Sequence, residues 1–506
     1  MRLRIDRVPL RFENRKPSGR RPDVELIVVA DTPEKDSGPP VHLRAFLKRS
    51  LGLDRAIAFT VMARFWSATA GVVTVLLIAR FLTAQEQGYY YTFASLVALQ
   101  IVFELGFSFV VLQLAAHEGA HLTFLPDGRV EGSLVSHARL ASVLQKSIRW
   151  YSVAAVLMAA ALIPAGLYFF STHQQANAQT SWKLPWCLLV IFASITFQID
   201  PLFSFLEGCG SITQVARMRL GQAVLGSLLA WVVMIGHHGL FSPAMMILGQ
   251  ATMGMIFLFT MPRRRLLKNL FFFPVGEHFV GWRREIWPFQ WRIATSWLCG
   301  YFIYQLFNPV LFAYQGPVAA GRMGMSLSIT ASLGAMAVAW MNTKASPFGN
   351  LVAHSDIKGL NRLFFRTLWQ STVLLAGGAC VLFSALIVIN HIFPKFARRV
   401  LTPWAFGLLL LTTIMNHIVF GEALYLRAHK REPFMIQALM VAALLGATTF
   451  LLGKYLGVDA VIVGYFAIGG IFSLISGTYI FITKRREWHA SSAGAETSML
   501  EDASSL

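Results

Sequence analysis

Twelve long apolar stretches set the terms for this chain, because each approaches the roughly 20 residues that an α-helix needs to cross a bilayer core. They occupy 55–79, 90–115, 149–171, 184–206, 217–236, 241–260, 288–313, 323–343, 367–390, 403–426, 434–453 and 459–482. In lipid, stretches of that length satisfy their backbone N–H and C=O groups by closing them within a helix. The fold class expected is therefore an all-α polytopic membrane protein with about 12 transmembrane helices. Composition agrees, since 55% of the 506 residues are hydrophobic and 14% charged, outside the soluble globular class. The fifth and sixth stretches are parted only by "GHHGLFSP", the least secure boundary.

Lys and Arg orient the bundle. They crowd the connections that share a side with the N-terminus, above all at Arg263 to Arg265. They are sparse on the other side, where Arg80, Lys183, Arg322, Lys395, Arg398, Arg399 and Lys454 stand. Both termini are thus expected in the cytoplasm, and the net charge of +19 reads as topology and headgroup contact rather than nucleic-acid binding. The start shows no cleavable leader. Residues 1–40 read as a disordered basic tail and 41–54 as an interfacial amphipathic segment. Cys187, Cys209, Cys299 and Cys380 stand far apart and imply neither a metal site nor a disulfide framework.

A basic linker, 261–287, divides the chain into an N-terminal lobe of six spans, 55–260, and a C-terminal lobe of six, 288–482, ahead of a tail at 483–506. The halves carry traces of a repeat, as many transporters do. Setting Gly88 against Gly321 also pairs Ser95 with Ser328, and Leu206 of "FLEGCGSITQ" falls against Leu426 of "YLRAHKREPF". Gly88 lies in "ARFLTAQEQGYYYTFASL", Ala79 to Leu96, between the first two spans. There the glycine suits a close turn, Tyr89 to Tyr91 suit an outer headgroup belt, and the acid and glutamines are expected in water.

That stretch, followed by "ELGF" and "QLAAHE", resembles the bacterial polysaccharide flippases of the multidrug/oligosaccharidyl-lipid/polysaccharide exporter superfamily. The matching positions are Leu82, Glu86, Gly88, Tyr89, Leu105 and Gly106. The resemblance implies two pseudo-repeated six-helix lobes around a central cavity that opens to each side in turn. It implies a polyprenyl-pyrophosphate-linked oligosaccharide as substrate, moved from the cytoplasmic to the periplasmic face of the inner membrane for surface polysaccharide assembly. Membrane lipids, a polysaccharide polymerase and glycosyltransferases are the partners implied, without cofactor or catalysis.

Such a headgroup needs a polar, partly cationic path, and ionisable residues in spans are costly unless they face one. In the first span Thr60, Arg64, Ser67, Gly71 and Thr74 share a helix face, which reads either as cavity lining or as a small-residue helix contact. Gln100, Glu104 and Ser108 share a face in the second. Arg64 and Glu104 are equidistant from the intervening turn, so they are expected to pair across the hairpin. Arg64, Arg292 and Lys344 are candidates for capturing pyrophosphate, although Arg292, Lys344 and Arg366 would also suit snorkelling to headgroups. Trp297, Tyr301 and Asn308, with Trp340 on the eighth span, are candidates for packing on sugar rings. Asp200, before the kinking Pro201, and Glu422 are candidates for ion coupling, each near the inner end of its span where water solvates it.

"AHEGAH" contains His117, Glu118 and His121 at zinc-protease spacing, with Asp127 as a possible further ligand. The context opposes that reading: the match ends a span, Phe124 replaces the glycine of the extended pattern, and Pro126 interrupts the helix. A drug/ion antiporter of the same superfamily is the other alternative, which a cationic inner vestibule disfavours.

Overall fold

The computed structural model describes residues 55–174, 180–429 and 431–504. The tail at 1–40 and the interfacial segment at 41–54 fall outside the described residues. The first half comprises α1 (Arg55–Phe81), α2 (Ala84–Val97), α3 (Gln100–Glu104), α4 (Phe107–Gly119), α5 (Leu134–Thr172), α6 (Lys183–Gly208), α7 (Ile212–Ile235) and α8 (Ser242–Phe259). The linker begins with α9 (Met261–Phe271). The second half comprises α10 (Trp287–Tyr304), α11 (Phe307–Gln315), α12 (Pro317–Asn342), α13 (Ala345–Ala353), α14 (Ile357–Ile392), α15 (Pro394–Ala397), α16 (Pro403–Arg427), α17 (Met435–Tyr455), α18 (Val458–Tyr465) and α19 (Ser473–Ser504).

Among the described residues ten helices are long and apolar enough to cross a membrane, or eleven with the bent pair Ala84–Glu104 and Phe107–Gly119 taken as one span. The fold is all-α and polytopic, one short of the twelve stretches. The stretch at 288–313 makes the difference: it is split into α10 and α11 at Gln305 and Leu306, and α10 carries Gln290, Arg292, Thr295 and Ser296. The insecure boundary at "GHHGLFSP" holds, with one 3-10 turn, Gly239–Phe241, between α7 and α8. The short loop after α4 instead folds as an antiparallel pair, Leu122–Phe124 with Val130–Gly132, turned at Gly128 with φ +89.

"ELGF" is a break. Leu105 and Gly106 adopt φ 50 and 67, and the flanking helices bend by 47°. A non-glycine residue in that region is strained by about 1–3 kcal/mol. The bend admits α10, since a Cβ at Gly106 would run into Ile293.

The turn after α1 is a capping box: Thr83 Oγ1 accepts from the Glu86 N–H at 3.2 Å and the Glu86 carboxylate accepts from the Thr83 N–H at 2.8 Å. The residues after it are not in water or in a headgroup belt. Gln87, Tyr89 and Tyr91 are all buried. Tyr89 packs edge-on to Phe312, 4.9 Å between centroids, and lies near Phe170 and Trp182. The burial arises because α2 lies along α12 of the second half. A Cβ at Gly88 would strike the Pro317 carbonyl, one at Gly321 would stand 2.9 Å from the Gly88 nitrogen, and Tyr91 fills the space left by Gly324. Glycines 88 and 321, matched as repeat counterparts, are thus in contact.

Replacing Gly88 with Ala should lower the melting temperature of the purified protein, since forcing a methyl against backbone costs about 1–3 kcal/mol. Gly377, around which a Cβ meets nothing within 4 Å, is the control, and Gly377→Ala should be neutral or stabilising. Equal melting of the two variants would contradict the close packing.

Candidate functional site

The halves are clasped at the Gly88 end by buried amides. Gln87 Nε2 donates to the carbonyls of Gly321 and Arg399, each at 2.8 Å. Arg399 donates in turn to the Leu82 carbonyl at 2.7 Å and to Gln87 Oε1 at 3.4 Å. Burial pulls the Arg399 guanidinium below its ordinary pKa, and the nearby Glu86 opposes that. Deeper, Asn308 Nδ2 donates to Ser95 Oγ at 2.9 Å and Ser95 donates to Gln305 Oε1 at 3.2 Å. Asn308, a sugar candidate, is therefore buried and engaged across the halves. Sequence reasoning missed Gln87, Arg399 and Ser95 as clasp residues. The available signal was that Gln87 adjoins, and Ser95 follows by two turns, a glycine with a counterpart in the other half.

Toward their other ends α1 and α12 carry several exposed side chains. Gly71 of α1 lies against Ser332 of α12, 3.5 Å from its would-be Cβ to the hydroxyl. The contact continues toward the Gly88 end through Val75, Ile78, Met325 and Ile329. Away from it the side chains of both helices are exposed: Arg64 and Phe65 on α1, Met336 and Trp340 on α12. Arg292 is exposed with its guanidinium 5.5 Å from the centroid of Trp291, Lys344 and Trp297 are half-buried, and Tyr301 is buried. Arg366 is exposed.

Among the described residues no Arg64–Glu104 ion pair forms, and the Glu104 carboxylate takes the Ser108 hydroxyl instead. The reason is geometric. Equal depth presumes an antiparallel hairpin, but α1 packs chiefly on α7 and α12, and the Leu105–Gly106 break turns α3 toward α10 and α5. Gln100 is half-buried on α3. Glu104 is instead close enough to Asp200 for their charges to interact, as is Arg219. Asp200 is exposed beside Pro201 within α6.

Glu422 is not solvated as expected; it is 4% exposed. Its Oε1 accepts from Thr478 at 2.8 Å and its Oε2 has no partner. His417, on the same helix and not anticipated, is also buried, with Nε2 at 2.8 Å from Ser371 Oγ and Nδ1 unpartnered. A histidine five positions before an acid in an apolar span was its only signal.

The zinc-like match resolves into an ion network. Glu118 is turned inward and accepts from Arg139 Nε at 2.6 Å, whose Nη2 reaches Glu285 at 2.5 Å. His117 is exposed, and the His117 and His121 rings stand 6.2 Å apart. Among the described residues no three His, Cys, Asp or Glu cluster closely enough to hold a metal. Asp127 serves Arg129.

The same network straps the linker to the first half. Gln145 donates to the carbonyls of Phe271 and Phe273, Ser142 accepts from the Val280 N–H, Lys146 donates to the Val280 carbonyl, and His137 stacks on Phe273 at 3.9 Å. Partial burial acts to raise the pKa of Glu285, but the Gly281 N–H and Arg139 outweigh it and hold the carboxyl below its usual range. Its contribution is therefore present at neutral pH and lost as pH falls through that lowered value.

A helical bundle of ten or eleven spans, its halves clasped at the Gly88 end, has the fold of polytopic membrane transporters. The lipid II flippase MurJ in an inward closed conformation is similar at TM-score 0.56 and 14% identity, over 85% of this chain and 87% of that one. An inward-facing multidrug resistance MATE transporter of the MOP superfamily is similar at 0.51 and 14%, over 83% and 98%. A eukaryotic MATE transporter is similar at 0.50 and 14%, over 88% and 99%. These likenesses establish the fold. No family model and no curated protein sequence matches the chain.

Arg139→Ala should destabilise by about 3–5 kcal/mol, because it leaves the buried Glu118 without its partner. Glu118→Gln combined with Arg139→Ala should cost less than the two changes summed. A thermal-melt double-mutant cycle measures the coupling, and additive losses would show that the pair does not act as a unit.

Proposed function

We propose that the chain is an alternating-access flippase that moves a polyprenyl-pyrophosphate-linked oligosaccharide from the cytoplasmic to the periplasmic face of a bacterial inner membrane, for surface polysaccharide assembly. Both termini and the strapped linker lie on the cytoplasmic side in this reading. The observation that carries it is a closed clasp at the Gly88 end together with the cations Arg64, Arg292 and Lys344 and the indole of Trp340, exposed or half-buried away from it. Arginine forks and a lysine point charge suit a pyrophosphate, and the indole and phenol faces of Trp340, Trp297 and Tyr301 suit sugar rings. The headgroup enters at the cationic end while the clasp is shut. Opening then requires the bonds of Gln87, Arg399, Ser95 and Asn308 to be exchanged for water. Asp200, and Glu422 with His417, are the groups assigned to ion coupling. A polymerase and glycosyltransferases act before and after the step.

A drug/ion antiporter is the second reading, favoured by the MATE likeness of the fold. The cationic character of the end away from the clasp favours an anionic substrate over the cationic amphiphile such an exporter would carry. A membrane zinc protease is disfavoured because Glu118, the base it would need, is engaged by Arg139.

Cells lacking the chain should accumulate lipid-linked oligosaccharide on the cytoplasmic face; a drug-sensitive phenotype without such accumulation would point to the antiporter. Arg64→Ala should lower polymer output about 10- to 150-fold, the loss expected for one charge-assisted hydrogen bond of about 1.5–3 kcal/mol, with partial rescue by Arg64→Lys. In a background freed of native cysteines, oxidising Ser95→Cys with Asn308→Cys should stop export and reduction should restore it. Export that persists through the cross-link would refute the clasp as a gate.

A further inference from the structure

A groove lies away from the clasp, between α10 and α17, with a cavity of about 330 Å³. Leu298, Cys299 and Phe302 form one wall, and Ala443, Gly446 and Ala447 form the other. Its lining is almost wholly apolar, and Leu298, Phe302, Ala443 and Ala447 are exposed along it. The small residues of α17 keep it open: a Cβ at Gly446 would already stand 3.4 Å from the Phe302 ring. Along α10 the groove runs from Thr295 to Phe302, about 10 Å at the rise of an α-helix.

What distinguishes the groove is the charge at one end. Arg292 precedes Thr295 by three residues and so stands one turn further along the same helix face, toward the linker. It is exposed, beside the exposed Trp291, and no acid pairs with it among the described ion pairs. A cation with an indole at the mouth of an apolar slot complements a lipid with a phosphate head and a long hydrocarbon chain. The branched side of an isoprenoid suits a wall of Ala and Gly, where methyl groups can seat between small side chains.

We infer that this groove holds the isoprenoid chain of a polyprenyl-phosphate lipid, with Arg292 taking its phosphate. The inference rests on the flippase reading for the choice of lipid, and it deepens that reading. The chain of the substrate need not pass through the polar path. It stays in hydrocarbon along α10 and α17 while the headgroup moves from Arg292 toward Arg64 and Lys344.

The test uses the purified full chain and three probes: a C55 polyprenyl phosphate, the corresponding neutral polyprenol, and phosphatidylglycerol. Native mass spectrometry reads the lipid retained. The wild type should retain the polyprenyl phosphate about tenfold over phosphatidylglycerol, a preference of about 1.4 kcal/mol. Gly446→Leu, which fills the slot, should lower retention of both isoprenoids about tenfold, and Arg292→Gln should lower that of the phosphate alone. Ala443→Leu, at an exposed wall position, provides the same readout should Gly446→Leu fail to fold. Unchanged retention in a folded groove variant would overturn the inference, as would equal retention of phosphatidylglycerol, which would make the groove a seat for ordinary acyl chains. The flippase reading is judged separately by accumulation of lipid-linked oligosaccharide in cells lacking the chain. Accumulation with unchanged retention would remove the groove and leave the function.

Discussion

The backbone contact between Gly88 and Gly321 is the constraint on which the rest depends. Neither position has room for a side chain, so α2 and α12 come together closely enough to bury Gln87 and to place its amide on two carbonyls of the other half. A buried amide left without partners costs about 1–3 kcal/mol, so the clasp is stable only when it is complete. The same accounting makes it reversible. Water that enters as the helices part satisfies the amides of Gln87 and Asn308, the Ser95 hydroxyl and the Arg399 guanidinium. A greasy seal would have no such replacement and would open only at the cost of exposing apolar surface.

The opposite end has no equivalent clasp, and the linker is not a slack tether across it. Residues from Phe271 to Glu285 are held to α5 by hydrogen bonds and by the Glu118–Arg139–Glu285 network, so they move with the first half. The second half begins beyond the π-helical turn Trp282–Ile286, where α10 starts. Gln290 is buried there, and among the described residues neither of its amide atoms has a partner. On the proposed alternating access, the start of α10 is where the second half would pivot.

Much of this architecture was legible because bilayer thickness imposes a length on every span and satisfies the backbone in only one way. Helix identity followed from pattern, and the repeat marked Gly88 and Gly321 as counterparts, though not as a contact. What failed were inferences that treated neighbours in sequence as neighbours in space. Arg64 and Glu104 sit at equal distances from a turn, but two left-handed residues, Leu105 and Gly106, redirect the second helix. Gln87 read as solvated and the tyrosines after it as a headgroup belt because the surface that covers them, α12, lies more than two hundred residues away. Local context alone opposes the zinc reading of Glu118, and its actual partner stays hidden because Arg139 lies beyond a hairpin that no periodicity announces. For the substrate residues the structure gives positions, and their roles belong to the proposed function.

On that function the cations of the end away from the clasp have an energetic consequence. Arg64 lies within a span and is exposed, which is tolerated where water reaches it. In a lipid-filled or closed setting it would cost at least about 2.5–3.5 kcal/mol. Closing the halves over Arg64, Arg292 and Lys344 removes that water, and desolvated cations are stable only with anions beside them. Among the described residues Glu104 and Asp200 already engage Ser108 and the field of Arg219, so they are poorly placed to supply the charge. A pyrophosphate does supply it. Closure of that end is then favourable with substrate present and unfavourable without, and that difference in stability between loaded and empty states is what coupling a conformational change to a cargo requires.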